Sequence, residues 1–132
     1  MKKGYKGNIE ILSKENTNFR KVLYTGEKSQ LVLMSLLPGE DIGMEVHPDN
    51  DQFFRFDEGV GKAIIDGNEY EIKDGDAVVV PMGSEHNIIN TGTVSLKFYT
   101  IYSPAHHKDG IIRETKTDAM ANEAEFDGKT TE

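Results

Sequence analysis

The sequence has no cysteine, no tryptophan, only four prolines and only four histidines in 132 residues. Without cysteine there are no disulfides, no thiolate metal sites and no cysteine nucleophile, so any metal ion must be held by nitrogen and oxygen. The same absence fits a reducing compartment, and a cytoplasmic location is expected. No apolar run is long enough to span a bilayer, and the opening "MKKGYKGNIE" carries no hydrophobic stretch behind its lysines to make a signal peptide, so no membrane partner is expected. Basic clusters are also missing. Fifteen Lys and Arg stand against 23 Asp and Glu, a formal net charge of -8, and no basic group exceeds the pair Arg20–Lys21. Binding to a phosphate backbone is therefore disfavoured and no nucleic-acid partner is expected.

Glycine, by contrast, recurs 13 times, and it punctuates short segments rich in Val, Ile, Leu, Phe and Tyr. "RKVLYTG", "SQLVLMSLLPG", "QFFRFDEG", "GKAIIDGNEYEIKDGDAVVVP", "HNIINTG" and "VSLKFYTIY" read as strands separated by turns. "DGN" at Asp66–Asn68 is the strongest hairpin signal, and "NTGT" at Asn90–Thr93 reads as a second hairpin turn. Many short strands with no helix between them predict an all-β fold, an antiparallel sandwich or barrel, in a single domain over 1–132. The exception is the C-terminal extension, 103–132. Its "SPAHHKDG" reads as a loop, and "TDAMANEAEFDG" predicts one short helix capped by Thr117 and stopped by Gly128.

Residues two apart on a strand share a face, so Glu45 and His47 point the same way if their segment is extended. Continuing the alternation puts Gln52, Phe54 and Phe56 on that inner face and sends Arg55 to the outer one. His86 lies in a second strand-like stretch, after a Pro-Gly turn. Imidazoles in apolar strands are costly unless paired. Two readings of Glu45 and His47 stand open on this pattern alone: a metal site completed by His86, or a hydrogen-bonded pair without an ion.

These segments resemble the paired motifs of the cupin superfamily. The first family motif is G, five residues, H-x-H, three or four residues, E, six residues, G; here, over 39–59, Gly39 and Gly59 frame Glu45, His47 and Gln52 at that spacing. The second, over 75–90, is met in full by Gly75, Pro81, Gly83, His86 and Asn90. The resemblance implies a double-stranded β-helix, the jelly-roll barrel of cupins, with a short C-terminal helix added. It also implies metal ligands at Glu45, His47, Gln52 and His86. Two of these four depart from the family's three-histidine, one-glutamate set, but one carboxylate is kept, moved from the fourth position to the first. The implied cofactor is a divalent ion: Zn, Mn, Fe or Ni. If Gln52 reaches the ion only through water, a two-histidine, one-carboxylate set remains. Asp51 is the fallback donor.

"VHPDNDQFFR" and the ending "FDGKTTE" further resemble small single-domain cupins of the mannose-6-phosphate isomerase-like group. The resemblance implies a metal-dependent enzyme on a small sugar, sugar phosphate or organic acid. A non-haem iron dioxygenase and a non-catalytic small-molecule-binding cupin are the alternatives. His106, His107 and Arg55 are the candidate catalytic residues. The two histidines lie on a loop able to fold over the barrel mouth, and the same loop could equally leave them solvated. Phe54, Phe56, Ile88 and Phe98 are expected to line a modest pocket, Tyr99 and Tyr102 to pack the barrel. A homodimer is implied by family analogy.

Overall fold

The computed structural model describes Met1–Glu132. Its elements are α1 (Ile9–Glu15), β1 (Arg20–Thr25), β2 (Gln30–Leu36), β3 (Glu45–Val46), β4 (Asp51–Glu58), β5 (Val60–Ile65), β6 (Asn68–Lys73), β7 (Ala77–Val80), β8 (Glu85–Asn90), β9 (Leu96–Ser103), β10 (Ile112–Arg113) and α2 (Lys116–Ala121). Two antiparallel sheets face each other, one ordered β10-β1-β2-β9-β4-β7, the other β3-β8-β5-β6. This is the all-β double-stranded β-helix with a short C-terminal helix that the sequence predicts. No helix is long and apolar enough to cross a membrane.

Alternation builds the interior. Phe54 and Phe56 on β4 and Phe98 on β9 are fully buried, with ring centroids 5.2–6.2 Å apart. Val32, Met34, Leu36, Ile88 and Leu96 join them in one apolar cluster. The phenylalanines and Ile88 therefore fill the barrel as core rather than lining a pocket, which corrects the sequence expectation: side chains of this size on facing sheets meet and close the space.

Turn chemistry was partly legible. Asp66 and Gly67 take φ of 46° and 81° and join β5 to β6, as a two-residue hairpin requires. Gly59, the end of the first motif, has φ 91°, and a Cβ there would lie 2.8 Å from the Ser95 carbonyl oxygen, so both conformation and space call for glycine. The second expected hairpin is absent: β8 and β9 lie in different sheets. Asn90, at the end of β8, instead ties that strand to β2 and to the loop that follows, its amide donating to the Leu36 and Val94 carbonyls while its oxygen accepts from the Gly92 N–H.

Both ends of the chain differ from expectation. The helix α1, capped by Asn8, packs on the outer faces of β4 and β9, and β10 adds an edge strand beside β1. Thr115 caps α2, two residues before the expected Thr117, and the helix ends at Ala121 rather than near Gly128. Residues beyond it return along the loop 103–110: Lys108 N–H donates to the Ala124 carbonyl and Phe126 N–H to the His106 carbonyl, both at 3.0 Å. This C-terminal segment lies across one mouth of the barrel, tied down by Lys116 to Asp41 (2.5 Å) and by Thr131 N–H to the Thr25 carbonyl (2.9 Å).

Candidate metal centre

Two chain segments deliver the three residues of the cluster. Glu45 on β3 stands directly across from His86 on β8 in the antiparallel register, and His47, two residues on, shares the Glu45 side. Glu45, His47 and His86 each present a ligand atom, all within 4.8 Å of one another. His47 and His86 are buried, whereas the Glu45 side chain keeps 32% of its exposure.

The hydrogen bonds fix which atoms are available. His86 Nδ1 lies 3.0 Å from the Ser84 carbonyl, an acceptor, so Nδ1 carries the proton and Nε2 the lone pair. That Nε2 is buried and has no partner in the protein. His47 Nε2 lies 3.1 Å from Glu45 Oε2. Gln52, inward on β4, donates its amide N–H to Thr100 Oγ1 at 3.0 Å, leaving Oε1 buried and unpartnered. Asp51 points away from the barrel, accepting from the Met82 N–H, and is not the donor.

The donor set fits a divalent ion. Buried polar atoms are normally paired, and here an imidazole nitrogen of the cluster, a good ligand atom, is left over. With bonds of about 2.1 Å, two ligand atoms on one ion lie at most about 4.2 Å apart, so the cluster is only slightly open. One carboxylate beside two neutral imidazoles supplies a single negative charge, the same that a three-histidine, one-glutamate set brings to a divalent ion. Burial works to raise the Glu45 pKa, but the hydrogen bond from His47 and the nearby cationic groups, Arg20 among them, together hold it below the ordinary carboxylate value.

Around the cluster lies a second tier of rings. His106 packs against His47 with centroids 4.3 Å apart and stacks on Tyr102 at 5.3 Å. His107 is buried, its Nε2 3.2 Å from the Tyr102 hydroxyl. Gln30 holds this loop in place: Oε1 accepts from the backbone N–H of His106 (3.2 Å) and His107 (3.0 Å), and its amide donates to the His107 carbonyl. The loop thus folds over the barrel mouth, burying His107 and leaving His106 half-buried at the cavity. Tyr102 packs the barrel as expected but also hydrogen-bonds the loop; Tyr99 faces outward. Arg55 lies on the outer face of β4, away from the cluster, as its alternation with Gln52 dictates.

Beside the cluster opens a cavity of about 180 Å3, lined among others by Glu45, His106, Phe19 and Arg20 from the barrel side and by Arg113 and Glu125 from the C-terminal segment. Sequence reasoning missed Arg20. Its position as an inward residue was readable from its alternation with Val22, which is buried in the core.

Burial lowers the pKa of His86, His106 and His107, with neighbouring positive charge adding to the effect on each. In the unfolded chain these groups take up protons near their ordinary value of 6.5, while the folded protein resists protonation to lower pH. The unfolded state then binds more protons, so folding stability falls as the pH drops through that value. Metal-free protein is expected to unfold at lower urea concentration at pH 5.5 than at pH 7.5, and His107→Gln to shrink the difference; equal slopes in both proteins would contradict this.

Residues 32–102, more than half of the chain, match the family described as "Cupin domain". The chain is a cupin. An uncharacterised protein of Bacillus subtilis, YrkC, is 47% identical over 122 residues, 88% of this chain, which spans 66% of that protein's length. The crystal structure of BH2720 from Bacillus halodurans superposes with a TM-score of 0.89 at 42% identity, covering 91% of this cupin and 96% of that chain. More distantly, a Thermotoga maritima protein named for oxalate binding is 29% identical over 102 residues, 75% of this cupin and 78% of its own length.

Proposed function

We propose that this cupin is a metal-dependent enzyme that acts on a small polar molecule, an organic acid or sugar, in the cavity beside Glu45, His47 and His86. The observation that carries the reading is the buried, unpartnered Nε2 of His86 turned to the same cluster as Glu45 and His47. Such a nitrogen costs stability unless something fills its lone pair. Glu45, His47 and His86 would hold the ion, with the Gln52 carbonyl as a fourth donor. A divalent ion bound there supplies Lewis acidity toward a substrate carbonyl or hydroxyl oxygen.

The protein's own part is proton handling and exclusion of water. His106 lines the cavity, is neutral near pH 7 because burial and His47 depress its pKa, and is therefore free to accept a proton. Tyr102, whose pKa burial raises, stays protonated and fixes the orientation of His107 through its hydroxyl. A cavity of about 180 Å3 is below the range of about 300–1,000 Å3 typical for larger ligands, which favours a small acid over the sugar phosphate of an isomerase-like reaction.

The two-histidine, one-carboxylate composition also favours a second reading, an iron oxygenase on the same cluster. A screen of small hydroxy, keto and dicarboxylic acids with metal-loaded protein, following both product and oxygen consumption, separates the two. Turnover with oxygen uptake favours the oxygenase, turnover without it the isomerase-like enzyme of the first reading. His106→Gln is expected to keep its metal and lose about 100-fold or more in rate. A variant as fast as wild type would remove His106 from the mechanism, and no turnover across the screen would make the protein a binding cupin.

A further inference from the structure

We propose that Arg20 is the anion-binding residue of the cavity and that the ligand it selects is a small carboxylic acid; this rests on the reading of the cavity as a ligand site beside the Glu45, His47 and His86 cluster. Arg20 opens β1 and stands across from Met34, a core residue, and on the same face as Val22, so the register sends its side chain inward. It lines the cavity together with Glu45 and His106.

Three observations make it a recognition group rather than a structural one. Its Nε is buried with no hydrogen-bond partner. Its guanidinium takes part in none of the chain's ion pairs, which join Lys2 to Glu27, Lys14 to Glu10, His47 to Glu45, Lys62 to Glu69 and Lys116 to Asp41. The other cavity arginine, Arg113, is already committed: Nε donates to the Asn122 carbonyl at 3.0 Å and Nη1 to that of Ile112 at 3.2 Å. Arg55 also has an unpartnered Nε, but it lies on the outer face of the barrel and lines no part of this cavity. A guanidinium with no acidic partner, packed beside the Phe19 ring at 5.3 Å, in a partly open cavity next to candidate ligand atoms, is the arrangement that holds one end of a substrate while the other end meets the cluster.

The class of anion follows from charge and size. A guanidinium matches a carboxylate with two parallel N–H···O bonds. A phosphate dianion fits less well, because Glu45, Glu123 and Glu125 also line the cavity and only Arg20 is uncommitted against them. The volume is that of about six water molecules in the liquid, enough for an acid of a few carbons.

Isothermal titration with malonate, acetate and inorganic phosphate, on metal-free and manganese-loaded protein, tests the assignment, with metal content measured on every sample. Wild type is expected to bind malonate more tightly than phosphate. Arg20→Gln should weaken malonate by about tenfold or more in both forms, as loss of a charge-assisted contact implies, while keeping the wild-type metal content. Should Arg20→Gln fail to fold, Arg20→Lys, which keeps charge and most of the stem but not the planar fork, is expected to fold and to bind malonate several-fold more weakly. Wild-type affinity in either variant, phosphate binding tighter than malonate, or no carboxylate binding to wild type would each overturn the proposal. A wild type that takes up no metal would defeat the proposed function, yet titration of the metal-free protein would still decide the role of Arg20.

Discussion

Replacing His86 by alanine is expected to abolish metal retention. His86 is the ligand with the fewest alternatives: Ser84 fixes its tautomer, leaving Nε2 as a lone pair with nothing in the protein to receive it. Because an imidazole binds a metal only when deprotonated, retention in wild type should also weaken in acid, at a pH below the ordinary histidine value because burial already depresses the His86 pKa. The other positions should rank by what they donate. Glu45→Gln removes the single charged ligand and is expected to weaken binding by at least about tenfold, in the range reported for loss of one charged contact. Gln52→Ala removes a neutral oxygen that water can replace, and should leave most binding intact. Elemental analysis of the dialysed variants checks the order; a His86→Ala protein with full metal content would refute it.

The second large effect concerns the C-terminal segment. Removing Lys116–Glu132 takes away Ala119 from the core cluster, the Lys116–Asp41 pair, and the partners of Lys108 N–H and the His106 carbonyl. It also strips Thr25 of two hydrogen bonds with Thr131. With each of these four lost hydrogen bonds worth about 1 kcal/mol, the truncated protein should be less stable by roughly 4 kcal/mol, and its Tm lower by roughly 10–15 °C for a domain of this size. One wall of the cavity goes with the segment, so malonate affinity should drop as well. A Tm within about 2 °C of the full chain would show that the segment adds nothing to the fold.

What could be read beforehand follows from how local each signal is. The strands, the Asp66–Gly67 turn and the inward positions of Glu45, His47, Gln52 and His86 are set by alternation and by backbone conformations that few residues adopt. Arg55 likewise followed its strand outward. The Asn90 turn misled because its glycine and asparagine look like a hairpin, whereas the Asn90 side chain ties together two strands of different sheets. The helix α1 is seven residues long, too short for periodicity to announce it. The cavity was misplaced because its walls come from β1, β3, the histidine loop and the C-terminal segment, which meet only through long-range contacts. Arg20 carries no motif; only the register that turns it toward Glu45 and leaves it without a partner gives it a role.

The claim on which all of this turns is that Glu45, His47 and His86 hold an ion. Wild-type protein expressed in medium supplemented with manganese, iron, nickel and zinc, purified without chelator and analysed for metal, measures it directly. The account predicts about one divalent ion per chain, held through dialysis at neutral pH and released on acidification. Wild-type protein that carries no metal after such growth, and takes up none when titrated, would contradict it.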